Sequence, residues 1–424
     1  MVEKLKARFA NPLIIAAFVC AVFIYSGFVK SPLTPPFYVP ARMESVTSLC
    51  GTVASNASVV SSGKYYSVML CADSATAAVS QTDIQLCARG KIKLLVPSKI
   101  AEAVYPGKLY SLSNKSVLLE SGEKIACSGK WLSSSGMFLV KEAASLGHSP
   151  GLKGKILRFR SLCRLALKRL LFSWGDAGGL VLSLLSGSRE YVNKSVGDDF
   201  KLAGLSHVLA LSGMHLSFFA GLTGGSGRRV FGKRYLLFAR LAGILFFVWF
   251  AGLSPSLFRA LLCSLLTLLC SAVFCGPVDS LAVLGASFLV HTVAVPSDVH
   301  SAAFMLSYGA LAGILLAADC LSCFVRWFLP VPIADSLSAS VGAQTATIPV
   351  SISLFGMFMP VGIIASVAVT PAVSVFLTVS VAAVLLCLLM PFLSYPFGAI
   401  IRLIYAVICG MVRFFAMVPP VEIT

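Results

Sequence analysis

Acidic residues are scarce in this chain. There are 17 Asp and Glu against 34 Lys and Arg, and charge of either sign occupies only 12% of 424 positions. Soluble domains carry about 25%, so a wholly water-exposed surface is excluded. No ATP-binding motif occurs, and with it goes a self-contained motor. No GxSxG elbow occurs, which weakens a serine-hydrolase reading. The 13 cysteines form no repeated CxxC pairs. The lone Cys320-Leu-Ser-Cys323 supports neither a metal nor a redox assignment. Asp198-Asp199 is the one adjacent acidic pair with a metal-like look, and it reads as a helix-start signal.

What is present is apolar. Hydrophobic residues make up 57% and mean hydropathy is +0.89, the profile of a polytopic membrane protein. The net charge of +17 is confined to short polar segments. At membrane edges such residues set orientation and meet anionic lipid, and they would also attract nucleic acid.

Lys4, Lys6 and Arg8 precede the apolar run 13–29, which places the N-terminus inside. Residues 1–43 read as a retained membrane anchor. Residues 44–147 change texture. Short candidate strands at 65–70, 91–96, 108–112 and 137–141 are divided by turn formers, as in a small β-barrel of OB-like size. Tyr65, Tyr66 and Tyr110 could stack bases there or simply pack. Cys50, Cys71, Cys87 and Cys127 fall in this domain, and outside the cytoplasm they could form one or two disulfides of open pairing. Residues 148–200 hold a basic helix, 153–174, in which Lys155, Arg158, Arg164, Lys168 and Arg169 alternate with apolar residues and no acid intervenes. It fits the membrane interface, with its cations wet.

The organising stretch is 204–221, GLSHVLALSGMHLSFFAG. As one helix it would rise ~27 Å, close to a hydrocarbon core. His207, His215, Ser206 and Ser212 are costly in hydrocarbon unless partnered or wet. Gly204, Gly213 and Gly221 admit a neighbouring backbone or a break. This element therefore borders a protein interior or an aqueous path, and helix packing alone is the plainer alternative. The basic loop around 227–234 reads as cytoplasmic, so the element runs from outside to inside.

Further spans follow at 235–252, 256–275, 279–295, 299–318, 336–355, 361–390 and 397–418. In residues 253–260 Ser254 reads as an N-cap, Pro255 as the first helical position, and Arg259 lies one turn in. Gln344, Thr345, Thr347 and Pro349 put polar groups beside a proline in mid-span, as in a discontinuous helix near a cavity. The expected fold is a membrane all-α polytopic bundle of about eight or more spans, some discontinuous, with an inserted extracytoplasmic OB-like β-barrel.

These residues carry a resemblance. Gly204, Leu205, Ser206, His207, Ser212, Gly213, His215 and Gly221 are similar to the central signature of the ComEC competence proteins, inner-membrane channels for transforming DNA. The Gly-Leu-Ser-Pro-Ser-x-x-Arg-Ala segment at 252–260, Leu306 to Gly309, and Ala343, Gln344, Ala346, Thr347 and Pro349 match later family stretches in order. The resemblance implies an extracytoplasmic OB domain and a channel domain over 201–424. It also implies single-stranded DNA as the passenger, and a separate DNA receptor, nuclease and cytoplasmic motor ATPase as partners. Many members continue into a metallo-β-lactamase-like domain. Here the five histidines include no HxHxDH, so no metal, cofactor or nuclease activity is expected of these residues.

The reading is thus a multi-pass protein of the bacterial inner membrane, in contact with lipid, that passes single-stranded DNA inward and is not itself an enzyme. Arg259, Gln344, Thr347, His207 and His215 are candidates to line or shape a wet path. Ser206, His207, Ser212 and His215 are also candidates for a hydrogen-bonded knot in a kinked helix. The rivals are a carrier for a lipid or envelope precursor and an intramembrane hydrolase using Ser212 with His207 or His215.

Overall fold

The computed structural model describes residues 11–26, 37–60, 64–79, 82–105, 117–189, 192–211, 213–221, 236–273 and 278–422. The chain divides into two compact units. One comprises residues 33–197 and 375–407, the other 1–32, 198–374 and 408–424.

The first unit is built on a mixed sheet: β1 (Val46–Val53), β2 (Ser58–Val59), β3 (Tyr65–Val79), β4 (Thr82–Cys87), β5 (Lys91–Pro97), β6 (Glu123–Leu132) and β7 (Met137–His148). Neighbours run β1-β6-β7-β5-β3, and β3 pairs back to β1, so the pairings close a ring. All are antiparallel except β5 with β7. Three of the expected strands fall in β3, β5 and β7, while 108–112 lies outside the described residues. Alternation builds the core: Ile92, Leu94 and Val96 of β5 are buried while Lys91 and Lys93 face out. They meet Leu49, Leu70, Ile125 and Phe138 in one cluster. The register of β1 shifts between Cys50 and Gly51, and that of β6 between Ser128 and Gly129. A Cβ on either glycine would strike the facing carbonyl, of Cys71 or Leu139, so these bulges curve the sheet.

One expectation about this unit needs correction, and one open alternative is decided for Tyr66. Cys50, Cys71, Cys87 and Cys127 are all free thiols. Leu49 faces Cys127 across the ladder and both are buried. Cys50, one residue on, therefore points to the opposite face, away from Cys127. Tyr66 is buried and its hydroxyl donates to Glu102 at 3.0 Å, so it packs and offers no stacking platform. Tyr110 lies outside the described residues.

The basic helix is Leu152–Phe172. Lys155 and Arg158 are exposed as expected, but Arg160, Arg164 and Lys168, spaced four apart, are buried. Their acid comes from the sheet side. Glu120 lies 2.7 Å from Arg164 Nε and 2.6 Å from Lys168 Nζ. Arg164 also donates to the Ser186 carbonyl and to Ser188 Oγ. Burial alone would push the Glu120 carboxyl up, but Arg164 and Lys168 outweigh it and hold it below the ordinary carboxylate range. Arg169 donates to the Val104 carbonyl at 2.9 Å. Two of the five cations expected on the wet face therefore sit in an interior ion cluster.

The second unit is helical. Among the described residues three helices are long and apolar enough to cross a membrane: Ala302–Val325, Gly362–Leu389 and Pro391–Ala416, the last two contributing to both units. Other expected spans are shorter. Pro12–Tyr25 and Ser280–Ala294 have 14 and 15 residues, ~21–23 Å against a core of ~30 Å. Val331–Phe355 is long enough, but Asp335, Gln344 and its Ser and Thr residues dilute its apolarity. The expectation of eight spans thus reduces to three by length and composition among the described residues. The helices Ala302–Val325 and Val331–Phe355 cross at Gly313 and Gly342, where an added Cβ on Gly313 would collide with the Gly342 carbonyl. Pro349 and Pro371 sit inside continuous helices, so neither span is discontinuous there. Asp198 and Asp199 lie within the helix Lys194–Leu202 rather than at its start. Asp199 accepts from Arg413 at 3.4 Å.

Candidate functional site

The stretch 204–221 is not one helix. It holds a single turn, Ser206–Leu209, then extended backbone at Ala210 (φ −85°, ψ 140°), then helix over 213–221. Ser212 lies outside the described residues.

Gly204 ends the preceding helix in the left-handed region, φ +71°. A Cβ there would come within 2.9 Å of Gly362 Cα. A Cβ on Gly362 would in turn lie 2.9 Å from Gln344 Nε2. The two glycines thus bring the start of the stretch to the helix carrying Gln344, whose Oε1 is buried without a hydrogen-bond partner among the described residues.

Past the break, Ser256 Oγ donates to the Leu211 carbonyl at 2.7 Å, satisfying an acceptor that a continuous helix would have used. Ser256 belongs to the helix Pro255–Val273, and Ser254 Oγ accepts from Leu257 N at 3.4 Å in the expected capping position. One turn on, Arg259 is buried at 9% exposure. Its Nη1 donates to the Ser307 carbonyl at 2.9 Å. Its Nη2 lies 3.7 Å from where a Gly213 Cβ would stand, and Ala260 Cβ lies equally near. Arg259 therefore turns into the helices instead of reaching out to an interface.

The remaining contacts complete a cycle. Gly309, two residues past Ser307, packs on Thr347, whose Cγ2 lies 3.7 Å from an added Cβ. Thr347 Oγ1 donates back to the Ala343 carbonyl at 2.9 Å, so its hydroxyl serves its own helix. From Gln344 the chain of contacts returns through Gly362 to Gly204. The four sequence segments are thus consecutive neighbours around one circuit.

Of the expected knot of Ser206, His207, Ser212 and His215, three residues are described. His215 is wholly buried, whereas Ser206 and His207 are exposed, because the single turn that carries them ends before the helix bearing His215 begins. Pro349 is exposed as well. Gly362 is the partner that sequence reasoning did not single out, since a glycine opening a span carries no signal alone; Ser256 lies in the 252–260 segment already noted. A cavity of about 220 Å³ lies elsewhere, lined by Asp279, Leu281, Ile314, Ala318 and Asp319. The motif residues themselves are held in contact. Among the described residues no group of three potential metal ligands occurs.

No curated protein and no solved structure matches this chain. A family model described as Competence protein matches residues 184–424. The match covers more than half of the chain and takes in every residue of the circuit. The chain belongs to the competence protein family, whose role is in DNA uptake.

Proposed function

We propose that this chain is an inner-membrane channel that passes single-stranded DNA into the cytoplasm. The observation that carries the reading is the circuit that joins all four family segments through Arg259. A buried guanidinium on a backbone carbonyl, with no carboxylate on it among the described residues, is costly in a membrane interior. A passing phosphate is the compensation it suits, a contact strong enough to offset desolvation and, singly, too weak to trap the strand. In this reading the contacts Gly204–Gly362 and Gly213–Arg259 form a closed gate, and strand passage separates them.

The organisation proposed is an anchor (1–43), an extracytoplasmic OB-like domain (44–147), a connecting helical region (148–200) and the channel domain (201–424), with the N-terminus cytoplasmic. The five-strand ring with its single parallel pair supports the OB-like reading. The receptor, nuclease and motor ATPase would be separate proteins, and membrane lipid would cover the exposed apolar faces.

Labelled single-stranded DNA reaching the cytoplasm is the test. Arg259→Gln should lower uptake at least tenfold, and Arg259→Lys, which keeps the charge but loses the fork, should recover part of it. Normal uptake in Arg259→Gln, or altered envelope composition with unchanged uptake in a deletion strain, would overturn the channel reading, the latter in favour of a carrier.

A further inference from the structure

Beside the circuit lies a polar network that channel function does not use. His291, in the helix Ser280–Ala294, is wholly buried. Its ring stands edge-on to Phe258 and Phe304, with centroids at 4.7 and 4.8 Å. Its Nε2 lies 3.4 Å from Asp298 Oδ2 and its Nδ1 lies 3.3 Å from Tyr308 Oη. The same hydroxyl is 3.0 Å from the Ser287 carbonyl. The Asp298 side chain is 29% exposed, so the network has one end at the surface.

Counting protons gives this cluster two complete states. A carboxylate only accepts, so Nε2 carries a proton in both. Tyr308 has one hydroxyl proton and two acceptors in reach. When Nδ1 is bare, the hydroxyl donates to it. When Nδ1 is protonated, Oη accepts that proton and turns its own toward the Ser287 carbonyl. Both states are fully hydrogen-bonded and they differ by one proton. A histidine buried only for packing needs one such state.

We propose that His291, Asp298 and Tyr308 form a proton-binding site, loaded from the Asp298 side, that positions Arg259. Tyr308 adjoins Ser307, whose carbonyl holds the guanidinium, and Tyr308 and Cys263 are within electrostatic reach of Arg259. Loading the site turns the hydroxyl of Tyr308, one residue along the helix from the Ser307 carbonyl that holds Arg259, from His291 Nδ1 to the Ser287 carbonyl. The groups facing the site from each packed element are Asp298 from the turn, Tyr308 from Ala302–Val325, and Arg259 and Cys263 from Pro255–Val273. Tyr25 comes from Pro12–Tyr25, bonded to the Val299 carbonyl and edge-on to His300. The coupling to uptake rests on the channel reading; proton binding itself does not.

The test uses the full-length chain in detergent micelles with ¹⁵N-labelled histidine, titrated by NMR between about pH 5 and 8. One ring, absent in His291→Gln, should pass from doubly protonated to neutral with the proton on Nε2. Asp298→Asn should lower its midpoint by about one unit or more, since the nearby carboxylate favours the charged form. A ring fixed in one state across the range, or a midpoint that Asp298→Asn leaves in place, overturns the site. If His291→Gln does not fold, the shift in Asp298→Asn, at a partly exposed position, decides alone. In cells, the pH profile of uptake should move in Asp298→Asn in the direction of the NMR midpoint, and an unmoved profile overturns the coupling. Loss of uptake at every pH in the wild type would count against the channel reading, and the NMR result would still judge proton binding.

Discussion

At the scale of single residues, Glu120 has the largest consequence. It is 2% exposed and is the acid to which Arg164 and Lys168 are bridged. Glu120→Gln leaves buried cations uncompensated and should destabilise the chain by about 3–5 kcal/mol in denaturant unfolding. A second change, Lys168→Met, should recover part of that loss. The pH sign follows from the depressed folded value: this stabilisation is complete above the ordinary carboxylate range and is lost as pH falls through the lower folded value. The Glu120→Gln variant should accordingly show a flatter acid limb. Two glycines of the signature separate cleanly. Gly204→Ala, at φ +71° against Gly362, should cost about 1–3 kcal/mol and reduce uptake. Gly213→Ala, with 3.7 Å of room, should be tolerated, whereas Gly213→Leu should press on Arg259 and abolish uptake. Equal behaviour of the two alanine variants would contradict this placement. Gly213 and Arg259 were legible in sequence because a glycine or a charge inside an apolar run stands out. Glu120 was not, since an isolated acid far along the chain from its cations carries no periodic mark.

At the scale of elements, the decisive feature is the break at Ala210–Leu211. Hydropathy shows a stretch long enough to span but cannot show whether its hydrogen bonds run through. The break is stable because Ser256, from another helix, supplies the donor to Leu211. Ser256→Ala should leave that carbonyl unpaired, cost about 1–3 kcal/mol and lower uptake severalfold; unchanged stability and uptake would show that the bond is dispensable. The opposite error occurred at Pro349, where proline suggested interruption and the helix continues. A proline removes one donor, and in a long packed helix the neighbouring turns carry the axis through. The basic helix Leu152–Phe172 teaches the same lesson. Its spacing predicted an amphipathic face, but which side would be wet depended on an acid from outside the helix.

At the scale of the whole molecule, orientation in the membrane has a direct measurement. Cys87 is exposed on the sheet. In a variant keeping Cys87 as its only cysteine, a membrane-impermeant maleimide should label intact spheroplasts, as an extracytoplasmic sheet requires; labelling only after lysis would reverse the proposed orientation. The sequence by itself determined membrane character, the presence of a β-rich region and the family, because composition, local polarity and motif are properties of the chain alone. Tertiary structure decided which cations are buried, where the signature stretch breaks, that the thiols of the sheet stay unpaired, and that four distant segments meet in one circuit. Those outcomes depend on partners supplied across space, by a carboxylate, a hydroxyl or a missing Cβ, and the order of residues along the chain does not encode which ones will meet.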